Sequence, residues 1–293
     1  MDKLNQELIE AKKRIDEIDE LKKSLESEYK ALQDKIHLYF DSPCIDTTET
    51  EKFIINSFWQ KAYEKYIDGG YITNDTSMRK MRFPYECLLI EKIINENCKE
   101  KKTALELGCG NGDTSRFLAT IFDSAKAVDM SKERIKENIS NNSIKNLVFE
   151  CKNAFEMDEK FDFVFASDML MYSPQCDVLP MFEKLLSLLS DNGILLTRES
   201  TKIIGQEDYK SKTYVAYYRN YKFYESDYFE KNFIKSYRNF SYNLYHLNKY
   251  FSVFGDDKKS QIEENPMLLD EIVKKFVDPI LKTCHFFVYK AEK

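Results

Sequence analysis

Residues 103–122 carry the pattern that most restricts how this chain folds. A short apolar run, TALEL, passes directly into Gly108-Cys109-Gly110-Asn111-Gly112-Asp113 and then into the helical stretch TSRFLATIF. The order is strand, glycine loop, helix start. Glycine tolerates positive φ and lets backbone approach a ligand closely, while the free N–H groups of a helix start supply donors. The spacing, E-x-G-x-G-x-G from Glu106, is neither the G-x-G-x-x-G of dinucleotide folds nor a P-loop with its Lys-Ser/Thr pair. Glu106 at the strand's end repels a pyrophosphate and suits a ligand bearing an ammonium or sulfonium charge. A second strand, AKAVDMS, ends at Asp129, where a carboxylate accepts both hydroxyls of a ribose.

Further strands and helices follow in alternation: LVFEC, FDFVFAS, the amphipathic LPMFEKLLSLLS, a DNG turn and Gly193-ILLTRES. Such alternation predicts an α/β fold with a parallel sheet, whose ligands sit at the carboxyl ends of the strands. Upstream, PYECLLIEKIINENC over 84–98 reads as an amphipathic helix opened by Pro84.

ALELGCGNGDTSRFLA followed by AVDMS resembles the first motif and the acidic strand end of class I S-adenosylmethionine-dependent methyltransferases. The resemblance covers about residues 84–200. It implies a Rossmann-like sheet, mostly parallel with a C-terminal antiparallel strand, and S-adenosyl-L-methionine as cofactor, with S-adenosyl-L-homocysteine as product. It places Glu106, Gly108, Cys109 and Gly110 under the cofactor's methionine and ribose, and Asp129 with Met130 at the ribose. Lys152-Asn153-Ala154-Phe155 matches the adenine-contact position: Asn153 faces the exocyclic amine, and Ala154 or Phe155 packs on the ring. The plainer reading of Asn153 is a turn former. The loop from Asp168 to Pro174, with Tyr172, corresponds to the loop beside the transferred methyl group. HFFVYKA, at the chain's end, fits the closing strand over 284–290, preceded by a less regular strand near Ser241 to His246 and a helix over Asn265 to Leu281.

The acceptor side carries weaker signals. Between Tyr209 and Tyr250 lie eleven of the 19 tyrosines. They suit sugars and polar ligands, interfaces, or a lid or core layer. Only eight of the 44 Lys and Arg residues are Arg, so an Arg at a strand's carboxyl end is expected to serve a geometric need, such as bidentate binding of phosphate or carboxylate. Arg198 is the first acceptor candidate and Arg219, in YVAYYRNYKFYES, the second. TRES and that stretch are similar to methyltransferases of bacterial capsule and O-antigen polysaccharide biosynthesis, some of which methylate a phosphate group or a sugar hydroxyl. Glu199 and Asn220 depart from that pattern. The resemblance implies O-methylation of an anionic group, phosphate or phosphoramidate, or of a sugar hydroxyl. His246 is the general-base candidate, against the alternative of a structural histidine, and an acceptor that is already anionic needs no base.

In residues 1–41, apolar side chains fall at Leu4, Leu8, Ala11, Ile15, Ile18, Leu25, Tyr29, Leu32, Ile36 and Tyr39, a heptad repeat with Lys22 at one a position. This predicts a coiled-coil helix forming a homodimer. The alternatives are a helix folded back on its own domain or a solvated charged one. The remainder, 42–293, is expected to be the methyltransferase domain, with an acceptor and lid region over 201–283.

A net charge of −6 without a sustained basic block argues against nucleic-acid binding, and no apolar run reaches the roughly 18 to 20 residues of a membrane span. The charged N-terminus lacks a signal-peptide core, so a cytoplasmic location is expected. The seven cysteines, Cys44, Cys87, Cys98, Cys109, Cys151, Cys176 and Cys284, show no metal-ligand spacing and read as reduced thiols. Two other classes remain: a dinucleotide oxidoreductase, disfavoured by loop spacing and Glu106, and a coiled-coil scaffold with a vestigial methyltransferase fold.

Overall fold

The computed structural model describes residues 10, 12–28, 31, 76–173, 175–201, 209–210, 217–226, 228–239, 260–262, 264–268 and 283–291. The chain divides into two compact units, Met1–Ile55 and Asn56–Lys293. In the first, residues 12–28 form helix α1, on which Ile15, Ile18, Leu21 and Leu25 are between 58 and 67% exposed.

The second unit opens with α2 (Thr76–Asn97). The helix runs through Pro84 instead of starting there. Proline removes one helical donor, and burial of Tyr85, Leu89, Ile90, Ile93 and Ile94 along the following turns outweighs that loss. Strand β1 (Thr103–Leu107), α3 (Asp113–Leu118), β2 (Ser124–Asp129), α4 (Lys132–Ser140) and β3 (Leu147–Cys151) come next. Then follow β4 (Phe161–Ser167), α5 (Gln175–Ser187) and β5 (Leu189–Thr201). The short strands β6 (Tyr209–Lys210) and β7 (Tyr217–Tyr218) pair with each other, and β8 (Phe233–Arg238) and β9 (Thr283–Lys290) complete the main sheet.

The main sheet has seven strands in the order β3-β2-β1-β4-β5-β9-β8. The first five are mutually parallel, and β9 runs antiparallel to both β5 and β8. The strand order reverses between β1 and β4, which opens a ligand crevice above their carboxyl ends.

Alternation along the central strands sorts the core into two layers. Phe163 and Phe165 of β4, Ile194 and Leu196 of β5, and Phe286 and Val288 of β9 pack with Tyr85, Leu89, Ile90 and Ile93 of α2. Val164, Ala166, Leu195, Phe287 and Tyr289 take the other face with Val178, Phe182 and Leu185 of α5.

Three boundaries differ from the sequence reading. The strand paired with β9 lies at Phe233–Arg238, whereas Ser241 to His246 falls outside the described residues. The helix expected over LPMFEKLLSLLS is shifted to Gln175–Ser187, since Leu189 already pairs with Phe161 as the start of β5. The helix expected to start at Asn265 is described only in part, and 269–282 lie outside the described residues.

Candidate active site

The glycine loop stands at the carboxyl end of β1 and is held from several sides. The Gly108 and Cys109 N–H groups both donate to the Val128 carbonyl, at 2.8 and 3.1 Å. The Gly110 N–H donates to Asp129 Oδ2 at 2.9 Å, and Asn138 Nδ2 donates to the Gly110 carbonyl at 2.8 Å. Arg116 reaches the Asn111 carbonyl and Asn138 Oδ1. All three loop glycines have positive φ, and the geometry at two of them separates their uses. A Cβ on Gly112 would sit 2.7 Å from the Phe149 ring, so that glycine permits close packing beneath the loop. A Cβ on Gly110 would meet nothing within 4 Å, so that glycine leaves space open.

Glu106 is 4% exposed. Its carboxylate turns under the loop and accepts from Ser115 Oγ at the start of α3. Burial, with the charge of Asp129 adding to it and the Ser115 hydrogen bond opposing it, pushes the Glu106 pKa up to about 8. The sequence placed this carboxylate against a ligand charge; the structure gives it a bond that ties β1 to α3.

Asp129, also buried, splits its two oxygens between the Gly110 and Ser131 N–H groups, each at 2.9 Å. It therefore shapes the loop from the end of β2. Asn153 behaves as the turn former that was the plainer alternative. Its Oδ1 accepts from the Phe155 N–H at 3.0 Å, and its own N–H donates to Glu156, a capping box on the short helix Ala154–Glu156. Ala154 is buried, whereas Met130 and Phe155 are 43% and 52% exposed. These two exposed apolar side chains, a thioether and a ring, follow the adjacent ends of β2 and β3.

The two arginines expected to grip an acceptor are engaged inside the protein. Arg198 is 5% exposed. Its Nε and Nη2 donate to Glu86 Oε1 at 3.2 and 3.1 Å, and its Nη1 donates to Asp168 Oδ2 at 2.5 Å. Asp168, the expected methyl-side residue, accepts with Oδ1 from the Ser200 N–H and hydroxyl. Arg219 is 1% exposed and donates to the carbonyls of Leu170 and Ser173, at 2.8 and 2.6 Å, between the rings of Tyr217 and Phe223. Glu199 accepts from the Leu170 and Met171 N–H groups, at 3.2 and 2.9 Å. The turn after β4 is thus bracketed by the Glu199 carboxyl, which accepts from its N–H groups, and the Arg219 guanidinium, which donates to its carbonyls, with half-buried Tyr172 beside Met171 and Tyr218.

His246 lies outside the described residues. His285, in the closing strand β9, lies opposite Glu199 near the carboxyl end of β5. Its Nδ1 is 2.7 Å from Thr201 Oγ1, its ring stacks on Tyr221, and burial pushes its pKa down to about 3. Glu86 was also missed. It sits on α2 one helical turn before Leu89 and Ile90, so a carboxylate on an apolar stripe was the available signal.

The sheet order, the glycine loop at β1 and the carboxylate at the end of β2 define the Rossmann-like fold of class I methyltransferases. Residues 98–216 match the family model described as a methyltransferase domain. A phosphoethanolamine N-methyltransferase from Triticum aestivum is 31% identical over 131 residues, covering 43% of this chain and 26% of that protein. Phosphoethanolamine N-methyltransferase 1 from Arabidopsis thaliana matches to the same extent. The chain spans about a quarter of the length of these curated relatives. Among solved structures, coclaurine N-methyltransferase bound to N-methylheliamine and SAH superposes with a TM-score of 0.52 at 12% identity, covering 91% of this chain and 94% of that one. An S-adenosylmethionine-dependent methyltransferase from Clostridium acetobutylicum ATCC 824 gives 0.50 at 15% identity, covering 80% of this chain and 100% of that one. At these identities the structural likeness is one of fold. No helix among the described residues is long and apolar enough to cross a membrane.

Proposed function

We propose that this domain transfers the methyl group of S-adenosyl-L-methionine to a small phosphate-bearing acceptor. The observation that carries the reading is the glycine loop, open above Gly110 and tied by the Gly110 N–H to Asp129. The residues present fit the cofactor. Gly110 leaves open space for its methionine, with Gly108 and Cys109 held beside it on the Val128 carbonyl; Asp129 is assigned to the ribose hydroxyls, and Met130 and Phe155 are exposed and assigned to the adenine side. Asn153 reaches it through the turn that it caps, and Glu106 through Ser115 and the loop above. The cofactor supplies an electrophilic methyl group on a sulfonium, and the chain's task is to hold an acceptor in line with it.

The curated relatives are named for phosphoethanolamine and for transfer to nitrogen, which makes phosphoethanolamine the first acceptor to assay. The polysaccharide precursor and the oxygen acceptor expected from the sequence become the second class to test. With Arg198 and Arg219 holding backbone and carboxylates, their part in the reaction is to fix the Asp168 to Ser173 turn that faces the acceptor.

Asp129→Ala is expected to weaken S-adenosylhomocysteine binding by about 1.5 to 3 kcal/mol, the scale of hydrogen bonds to a charged group. Isothermal titration calorimetry measures this, with NAD as the control ligand for the oxidoreductase alternative. Unchanged affinity in a folded variant removes the assignment of Asp129.

The N-terminal unit is proposed to pair two copies in parallel. Ile15, Ile18 and Leu25 of α1 lie on the heptad seam, and Arg14 of one copy faces Asp19 of the other. Light scattering of the full chain is expected to give a dimer at micromolar concentration, and deletion of 3–40 a monomer that still binds S-adenosylhomocysteine. Lys22→Ile removes a polar a position and is expected to raise thermal stability. A monomeric full chain discards the pairing.

A further inference from the structure

We infer that Glu86 is a positioning residue for methyl transfer, holding Arg198 so that Asp168 and the turn after it stay aligned with the glycine loop. The inference rests on the methyltransferase reading above. Glu86 collects donors from separate parts of the fold: Arg198 of β5 at 3.1 and 3.2 Å, Asn239 beyond β8 at 2.6 Å, and Arg82 one turn earlier on α2 at 3.0 Å. Arg198 passes the constraint on through Asp168 Oδ2. Asp168 has φ 55 and is the positive-φ non-glycine residue among those described. Aspartate adopts that conformation where its side chain finds local hydrogen bonds, and here Ser200 and Arg198 provide them.

The constraint reaches the glycine loop through the next residue. Met169 lies under Gly108, with Cγ 3.8 Å from the position a Cβ would take there. Leu170 and Met171 then meet Glu199. An unbroken series of contacts thus runs from α2 through β5 and the β4 turn to the loop where the methionine of the cofactor would lie. Burial opposes the charge on Glu86, yet Arg198, Arg82 and Asn239 together hold its pKa at about 2. It therefore stays ionised through the neutral range, as a fixed anchor requires.

The test uses the full chain with Glu86→Gln, which keeps size and polarity but removes the charge, and Asp168→Asn, which keeps a side chain tolerant of positive φ. Calorimetry with S-adenosylhomocysteine and amide hydrogen exchange over 168–173 and 108–112 are measured on each. Both variants are expected to remain folded, to lose affinity about tenfold and to exchange faster over 168–173. The double variant is expected to be no worse than the weaker single one, the non-additivity of residues acting as a unit. With phosphoethanolamine as acceptor, kcat is expected to fall about a hundredfold, the scale of a small misalignment at the reacting centre, while the acceptor KM changes much less. If Glu86→Gln does not fold, Glu86→Asp, which keeps the charge at a shorter reach, takes its place with the same readouts. Additive losses, or unchanged affinity and exchange in a folded variant, overturn the inference. A wild-type chain that fails to bind S-adenosylhomocysteine overturns the methyltransferase reading instead.

Discussion

Substituting Arg219 by methionine is expected to destabilise the second unit by about 3 kcal/mol, at the lower end of what two buried hydrogen bonds from a charged donor contribute at about 1.5 to 3 kcal/mol each. Methionine is long and apolar enough to occupy the slot between Tyr217 and Phe223, so the loss reports charge and hydrogen bonding and not a cavity. What remains behind is the Leu170 and Ser173 carbonyls without their donor. Two features hold the effect to the lower end. Arg219 Nε is already buried without a hydrogen-bond partner, so the variant removes one unsatisfied donor. Burial, reinforced by Asp168, also raises the Glu199 pKa well above its ordinary value, so Glu199 is able to take up a proton when Arg219 is gone. Arg219→Lys keeps the charge without the fork and is expected to fall between the two. Urea denaturation measures the series, and a methionine variant within about 0.5 kcal/mol of wild type, the range of a neutral surface change, excludes the bracket as a source of stability.

The parts of the fold that were legible in the sequence leave local marks. TALEL is buried along nearly its whole length, as a central parallel strand must be, and the positive φ of Gly108, Gly110 and Gly112 required glycine where glycine stands. Asp129 was legible because a polar residue ending an apolar strand has to face a sheet edge. The surroundings of Arg198 and Arg219 were not, because their partners are distant in sequence or are not side chains. Glu86 and Arg198 are separated by 112 positions, and Arg219 binds carbonyl groups, which no residue pattern records. The scarcity of arginine did point to two positions with strict geometric demands. Those demands come from Glu86, Asp168 and the Leu170 to Ser173 backbone. Strand β8 was misplaced for another reason: as an edge strand with one partner, its residues are half-buried or exposed, so its alternation is weak.

Replacing Glu106 by glutamine is expected to stabilise the second unit at pH 8 to 9 and to change it little at pH 5. In the fold Glu106 keeps its proton up to about pH 8, whereas its ordinary pKa is 4.5. Between those values the unfolded chain binds fewer protons than the folded one at this site, so wild-type stability falls as pH rises and levels off above about 8. One pKa unit corresponds to about 1.4 kcal/mol, and with partial relaxation of the buried site the difference at pH 9 is expected to be on the order of 2 to 4 kcal/mol. Glutamine has the same shape, and its carbonyl oxygen accepts from Ser115 without ionising. Glu199, whose pKa burial also raises well above its ordinary value, gives a slope of the same sign in both proteins and cancels in the difference between them. Glu86 titrates near pH 2 in the fold, below the range of the experiment. His285, whose pKa is lowered to about 3, contributes stability above its ordinary pKa that fades as pH falls, identically in both proteins. Guanidinium denaturation of wild type and Glu106→Gln at pH 5, 7 and 9 gives the difference directly. A cationic ligand on the loop favours the ionised form of Glu106, so saturation with S-adenosylmethionine is expected to flatten the wild-type slope and leave the variant's unchanged. Parallel pH profiles for the two proteins would show that Glu106 is ionised in the fold throughout.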